Sequence, residues 1–154
     1  MSWQEVLAVL AVSAAPISEL RGGIPLALTL GFAPEVAVLL ALLGNLFPLP
    51  FLLWGLPRAL PWLESLPGGL GRAVRTYFSW RRRRAAGLAR YGPWFLFFFV
   101  AVPFPGTGLW TGAILAALLG IPARKAAGPL AAGVGVAGLL VLLGSLGVLR
   151  LFGG

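Results

Sequence analysis

The chain has no cysteine and no histidine, and its four acidic residues are all glutamate: Glu5, Glu19, Glu35 and Glu64. These absences remove whole classes of chemistry. Without thiols or imidazoles there is no zinc site of the usual kind, no Ser-His-Asp triad, no cysteine nucleophile and no haem held by His or Cys. Neither a metal nor a cofactor is expected, and no residue is assigned a catalytic role. An intramembrane enzyme would have to work with Glu19 and a hydroxyl, and no nucleophile–base spacing supports one. Charge of any kind is scarce, at 10% of 154 residues, where a soluble domain carries about 25%.

What fills the chain is apolar. Hydrophobic residues make up 59% of it and the mean hydropathy is +0.94, the composition of a membrane protein of single-domain size. The net charge of +8 comes largely from arginines between Arg58 and Arg90, including the run Arg81 to Arg84. No aromatic–basic interleaving typical of nucleic-acid readers accompanies that run, so no nucleic-acid partner is expected. It reads instead as the cytoplasmic side of a membrane protein. The N-terminal apolar run lacks a positive flank, has Glu5 where one would stand, and is followed by Pro16, which argues against a signal peptide.

A bilayer core of about 30 Å needs about 20 helical residues. Residues 3 to 18 give only about 24 Å of helix before Glu19, Arg21, Gly22, Gly23 and Pro25 interrupt the run. Residues 35 to 56 are long enough to cross, with Asn45, Pro48 and Pro50 bending them. Residues 57 to 92 carry eight arginines and repeated Pro and Gly, and are expected outside the hydrocarbon. Leu70, Val74, Phe78, Ala85 and Leu88 recur there at helical spacing, consistent with an interfacial helix on anionic lipid or with a solvated loop. Trp94 to Val102 supply about 14 Å of helix before Pro103 to Gly108 break it near mid-bilayer, and Leu109 to Ile121 return. Residues 126 to 149 span again, with Gly128, Gly133, Gly135 and Gly138 offering small surfaces for helix packing.

The two halves share one order: apolar run, Gly/Pro break, short return ending in Gly and then Pro, long span. The expected organisation is one all-α membrane domain over 1–154. Residues 1–57 form a first re-entrant hairpin and span, 58–92 a basic linker or interfacial helix, and 93–154 a second hairpin and span. Placing Arg58 to Arg90 and Arg124-Lys125 in the cytoplasm makes the repeats inverted, with broken tips facing each other, as in transporters that bind substrate at the midplane. The expected location is a prokaryotic plasma (inner) membrane, multi-pass. A bundle this thin is expected to form a homodimer.

Glu19 and Arg21 would each cost roughly 2.5 to 3.5 kcal/mol facing lipid at the bilayer centre, so they must face protein or a wet cavity. Arg21 is a candidate for an anionic group or the carbonyls of the opposite tip, and Glu19 for a proton, a cation or an arginine; a static ion pair between them is the bland alternative. Pro103, Pro105, Gly106, Thr107 and Gly108 free backbone groups, which at this depth need a protein-lined or wet place. Thr107, Trp110 and Thr111 offer hydroxyls and an indole N–H to a ligand or to the broken backbone. Asn45 is expected to support a tip or line the cavity.

The segments ISELRGGIP, LLGNLFPLPF and YGPWFLFFFVAVPFPGTGLWTGAILAALLGI, with the PARK loop at Pro122 to Lys125, resemble the small multidrug export protein family, a minimal branch of the DedA/VTT (SNARE-associated) superfamily. The resemblance covers residues 13 to 145. It implies two opposed re-entrant hairpins and a functional core of Glu19, Arg21, Gly22, Pro25, Asn45, Pro103, Pro105, Gly106, Thr107, Gly108, Trp110, Thr111 and Gly112. It also implies membrane lipid as a partner and a small molecule, lipid or proton as substrate. The leading expectation is a transporter or lipid translocator; the alternative is a non-transporting scaffold or lipid-organising protein with a structural ion pair.

Overall fold

A computed structural model describes residues 2–152, apart from the side chains of Ala85, Leu88, Ala89 and Phe152. The described chain is all-helical: α1 Trp3–Ala14, α2 Glu19–Thr29, α3 Pro34–Leu46, α4 Leu49–Ser65, α5 Gly68–Ala89, α6 Trp94–Ala101, α7 Leu109–Leu118 and α8 Ala123–Phe152. α1 starts at a capping box, in which the Ser2 hydroxyl accepts from the Glu5 N–H and the Glu5 carboxylate accepts from the Ser2 N–H. With 12, 11, 8 and 10 residues, α1, α2, α6 and α7 are each at most about 18 Å long. Two stretches are long and apolar enough to cross a bilayer, Pro34–Ser65 and Ala123–Leu151.

α1, α2 and α3 pack on one another, as α6 and α7 pack on α8, and α8 also touches α2, α3 and α4. Ile24, Leu96, Leu109, Leu130 and Val134 are fully enclosed between these helices. Glycine sets the closest approaches. A Cβ at Gly44 would lie 2.5 Å from the Leu10 carbonyl oxygen and one at Gly133 2.8 Å from that of Phe97, so neither pair of helices could pack as it does with a larger residue. Gly138 is in ordinary contact with Leu42 and Leu20, whereas Gly128 and Gly135 meet nothing within 4 Å.

Local geometry recurs between the halves. α2 ends with Gly31 at φ 82° and bonds from Gly31 N–H to the Leu28 carbonyl and Phe32 N–H to the Ala27 carbonyl. α7 ends with Gly120 at φ 66° and the corresponding bonds to Ala117 and Ala116. Both are Schellman caps, whose left-handed residue suits glycine. In the same register, Gly23 abuts Ser13 of α1, and Gly112 abuts Val100 of α6.

Two expectations are corrected. The break in the first half falls at Ala15 to Ser18, not at Gly22, Gly23 and Pro25, which lie inside α2. Pro25 removes one bond, to the Arg21 carbonyl, but Leu20, Ile24 and Ala27 are buried on the continuing helix. The first long apolar stretch does not stop at Leu56. It turns at Phe47-Pro48 and runs to Ser65 through Pro57 and Pro61, with Leu60 buried against Phe78 and Leu118. The basic segment, for which the sequence leaves both a helix and a solvated loop open, is in part a helix, docked on α4 and α7: Val74 and Phe78 face the protein, while Leu70 is exposed. The side chains of Ala85 and Leu88, expected on the same face, lie outside those described. Arg82 holds the dock, donating to the Leu118 carbonyl at 3.2 Å and pairing with Glu64 at 3.5 Å.

Candidate site at the junction of two helix breaks

The second-half break is a turn dictated by its sequence. Pro105 and Gly106 occupy the centre of a turn closed by the Thr107 N–H to the Phe104 carbonyl, 3.0 Å, with Gly106 at φ 84°; proline followed by a positive-φ glycine is the type II pattern. The Thr107 hydroxyl lies 2.7 Å from the carbonyls of both Val102 and Phe104 and accepts from the Phe104 N–H. That hydroxyl therefore satisfies its own broken backbone.

α7 then begins at Leu109 with Gly108 as its N-cap, which has no side chain to cap the helix. The cap comes from the other half of the chain. The Glu19 carboxylate accepts from the Trp110 N–H at 3.2 Å, satisfying one of the free amides at the positive end of α7. A Cβ at position 108 would fall on the Glu19 carboxylate oxygens, so glycine there leaves the space the carboxylate occupies. Glu19 itself has φ 48°, a left-handed conformation that costs a side-chain-bearing residue about 1 to 2 kcal/mol, and it is only 8% exposed. Strain of this kind persists where surrounding contacts over-determine it.

Three more hydrogen bonds cross the junction. The Arg21 guanidinium donates to the Thr107 carbonyl and, at 3.1 Å, to the Thr107 hydroxyl. In return, the Trp110 indole N–H donates to the Ala14 carbonyl, 3.0 Å, at the end of α1. In the register that matches Gly31 with Gly120, Arg21 matches Trp110. Residues at matching positions thus reach across to the opposite break.

Among the described residues Glu19 and Arg21 do not form an ion pair with each other. Each instead serves the facing segment, because the turn at Ala15 to Ser18 aims the start of α2 at the start of α7. Asn45 donates to the Ser13 carbonyl at 3.2 Å, tying α3 to the end of α1. Gly22 and Gly23 let α2 close on Val12 and Ser13.

Three openings meet here. A cleft of about 380 Å³ is lined by Glu19, Arg21, Pro105, Gly106, Thr107 and Thr111, with Pro16 and Ile17 at its edge. An apolar groove of about 460 Å³ leads from Arg21, Pro25 and Pro103 along α8. Another, of about 470 Å³, leads along α6 to Thr107. Arg21 borders the first groove and Thr107 the second, and both line the cleft. Sequence reasoning passed over Ser13, Gly44 and the Ala14 carbonyl; small residues facing Asn45 and Gly23 were the available signal.

A family model described as "Putative small multi-drug export protein" matches residues 19–140. No curated protein and no solved structure matches the chain. The matched stretch begins at the glutamate that caps α7, directly after the first break, and takes in the second break and more than half of the second long apolar helix; the chain belongs to this family of membrane export proteins.

Proposed function

We propose that the protein is a transporter, or a translocator of lipid-like molecules, whose central site is the junction of the two breaks, and that its halves are re-entrant hairpins in inverted repeat. The observation that carries this reading is the crossed pair of bonds, Arg21 to Thr107 and Trp110 to Ala14. Matching positions latch opposite breaks, the arrangement an alternating mechanism needs to release one side while holding the other. Non-helical backbone at this depth belongs beside protein or a water-filled path. The three openings at Arg21 and Thr107 provide one polar cleft and two apolar flanks, suited to a substrate with both characters.

Arg58 to Arg90 and Arg124-Lys125 lie on the cytoplasmic side in this reading, with the first hairpin entering from outside and the second from inside. The placement is in the plasma membrane of a prokaryote. The exposed Trp54, Trp62, Tyr77 and Trp80, with Arg58, Arg81 and Arg84 over the rings of Trp54, Tyr77 and Trp80, suit the headgroup level on that side, where α5 meets anionic lipid. Kinship with the DedA/VTT superfamily accords with the same architecture. A homodimer covers part of the exposed apolar surface. Glu19 is the group through which a proton couples to transport.

One observation favours a static scaffold instead: Arg21, Trp110 and Asn45 all have protein partners for a donor. Reconstitution separates the two readings. Purified protein in liposomes is expected to move a cationic dye, a fluorescent lipid or protons, and Arg21→Ala is expected to abolish that flux while the protein stays folded by circular dichroism. Folded, correctly inserted protein that moves none of the three refutes the transporter.

A further inference from the structure

Beside the cleft, and sharing Glu19 and Arg21 with it, is a small cavity of about 10 Å³, lined also by Asn45, Gly108, Leu109 and Val134 among others. Asn45 is 1% exposed and its Oδ1 has no hydrogen-bond partner. Its orientation is fixed by chemistry: the neighbouring Ser13 carbonyl can only accept, so Nδ2 must face it. The Oδ1 acceptor is therefore left over. Glu19 brings a second acceptor to the same cavity, its carboxylate already receiving the Trp110 N–H.

Two acceptors around one small cavity need a donor between them. A cavity of about 10 to 15 Å³ holds one water, which requires two to four polar partners. Arg21 supplies a third partner, a donor to the oxygen of such a water. We infer that one internal water is held by the Glu19 carboxylate, the Asn45 Oδ1 and the Arg21 guanidinium, and that Asn45 is a positioning residue that orients Glu19 through it. α3 is thereby linked to the start of α7 by a chain running Ser13, Asn45, water, Glu19, Trp110. This rests on the packing around Glu19 and not on transport, so a failed flux assay leaves it standing.

The test is nuclear magnetic resonance on the isotope-labelled full chain in bicelles. Long-lived water is expected to give cross-relaxation peaks to the Asn45 side-chain amide and to the Leu109 backbone amide. Asn45→Leu, which fills the space and removes the acceptor, is expected to abolish the Leu109 peak and shift the Glu19 carboxyl carbon, while the Gly31 and Gly120 amides stay in place. Asn45→Ser replaces the amide oxygen by a hydroxyl that can also accept, and adds room, so the Leu109 peak is expected to survive; this variant keeps the test decisive if Asn45→Leu does not fold. No water peak at either assigned amide of the wild-type protein overturns the inference, as does a Glu19 carboxyl resonance indifferent to a folded Asn45→Leu.

Discussion

Glu19 carries both a side-chain and a backbone role, and three substitutions separate them. Glu19→Ala removes the charge-assisted bond to the Trp110 N–H, which contributes about 1.5 to 3 kcal/mol. It also removes the favourable charge at the N-terminus of α7, about 0.3 to 1 kcal/mol and up to about 2 when partly buried. Relief from holding a carboxylate 8% exposed opposes these losses, so a net loss of about 2 to 4 kcal/mol is expected. Alanine keeps the strain, because φ stays near 48°. Glu19→Gly removes the same carboxylate but relieves about 1 to 2 kcal/mol of left-handed strain, less about 0.5 to 1 kcal/mol for glycine's greater freedom when unfolded. It should therefore be the more stable of the two, by about 1 kcal/mol or less. Glu19→Gln keeps an acceptor for Trp110 and should fall between Ala and wild type. Denaturant titration in mixed micelles, followed by tryptophan fluorescence and circular dichroism, gives all three values. Glycine less stable than alanine at equal helicity would refute the backbone argument, and alanine as stable as wild type would refute the capping argument.

Trp110→Phe keeps the ring but leaves the Ala14 carbonyl without its indole donor, an expected loss of about 1 to 3 kcal/mol readable as a lower melting temperature; an unchanged melt would show that this bond contributes nothing. Gly44→Ala and Gly133→Ala should each destabilise by about 1 to 3 kcal/mol, because their Cβ atoms would meet backbone carbonyls at 2.5 and 2.8 Å. Gly135→Ala, with nothing within 4 Å, should be neutral or stabilising by up to about 1 kcal/mol, and the same melts compare all three. Phe78→Ala opens the contact of α5 with Leu60 and Leu118 at a cost of about 3 to 5 kcal/mol and should free α5 to protease cleavage. Arg82→Ala removes a half-exposed ion pair with Glu64, about 1 kcal/mol or less, together with a part-buried bond to the Leu118 carbonyl, about 1 kcal/mol, so a loss of about 1 to 2 kcal/mol is expected in the same melts.

Composition and periodicity alone determined that this is an all-α membrane protein with two apolar stretches of crossing length and a break in each half. Those readings follow from quantities local to the chain: apolar length against bilayer thickness, and the backbone bonds that proline and glycine remove. The second break was legible because Pro105-Gly106 encodes its turn within four residues. The first was misplaced, because Gly22, Gly23 and Pro25 weaken a helix locally while the burial of Leu20, Ile24 and Ala27 against distant segments holds it. Sequence marked Glu19 and Arg21 as charges in need of partners, yet which partners they take is a matter of three-dimensional proximity. Only the tertiary structure sets Glu19 on the amides of α7, Arg21 on Thr107 and Trp110 on Ala14, since those contacts join residues far apart in the chain and depend on glycine-lined helix approaches that no local pattern specifies.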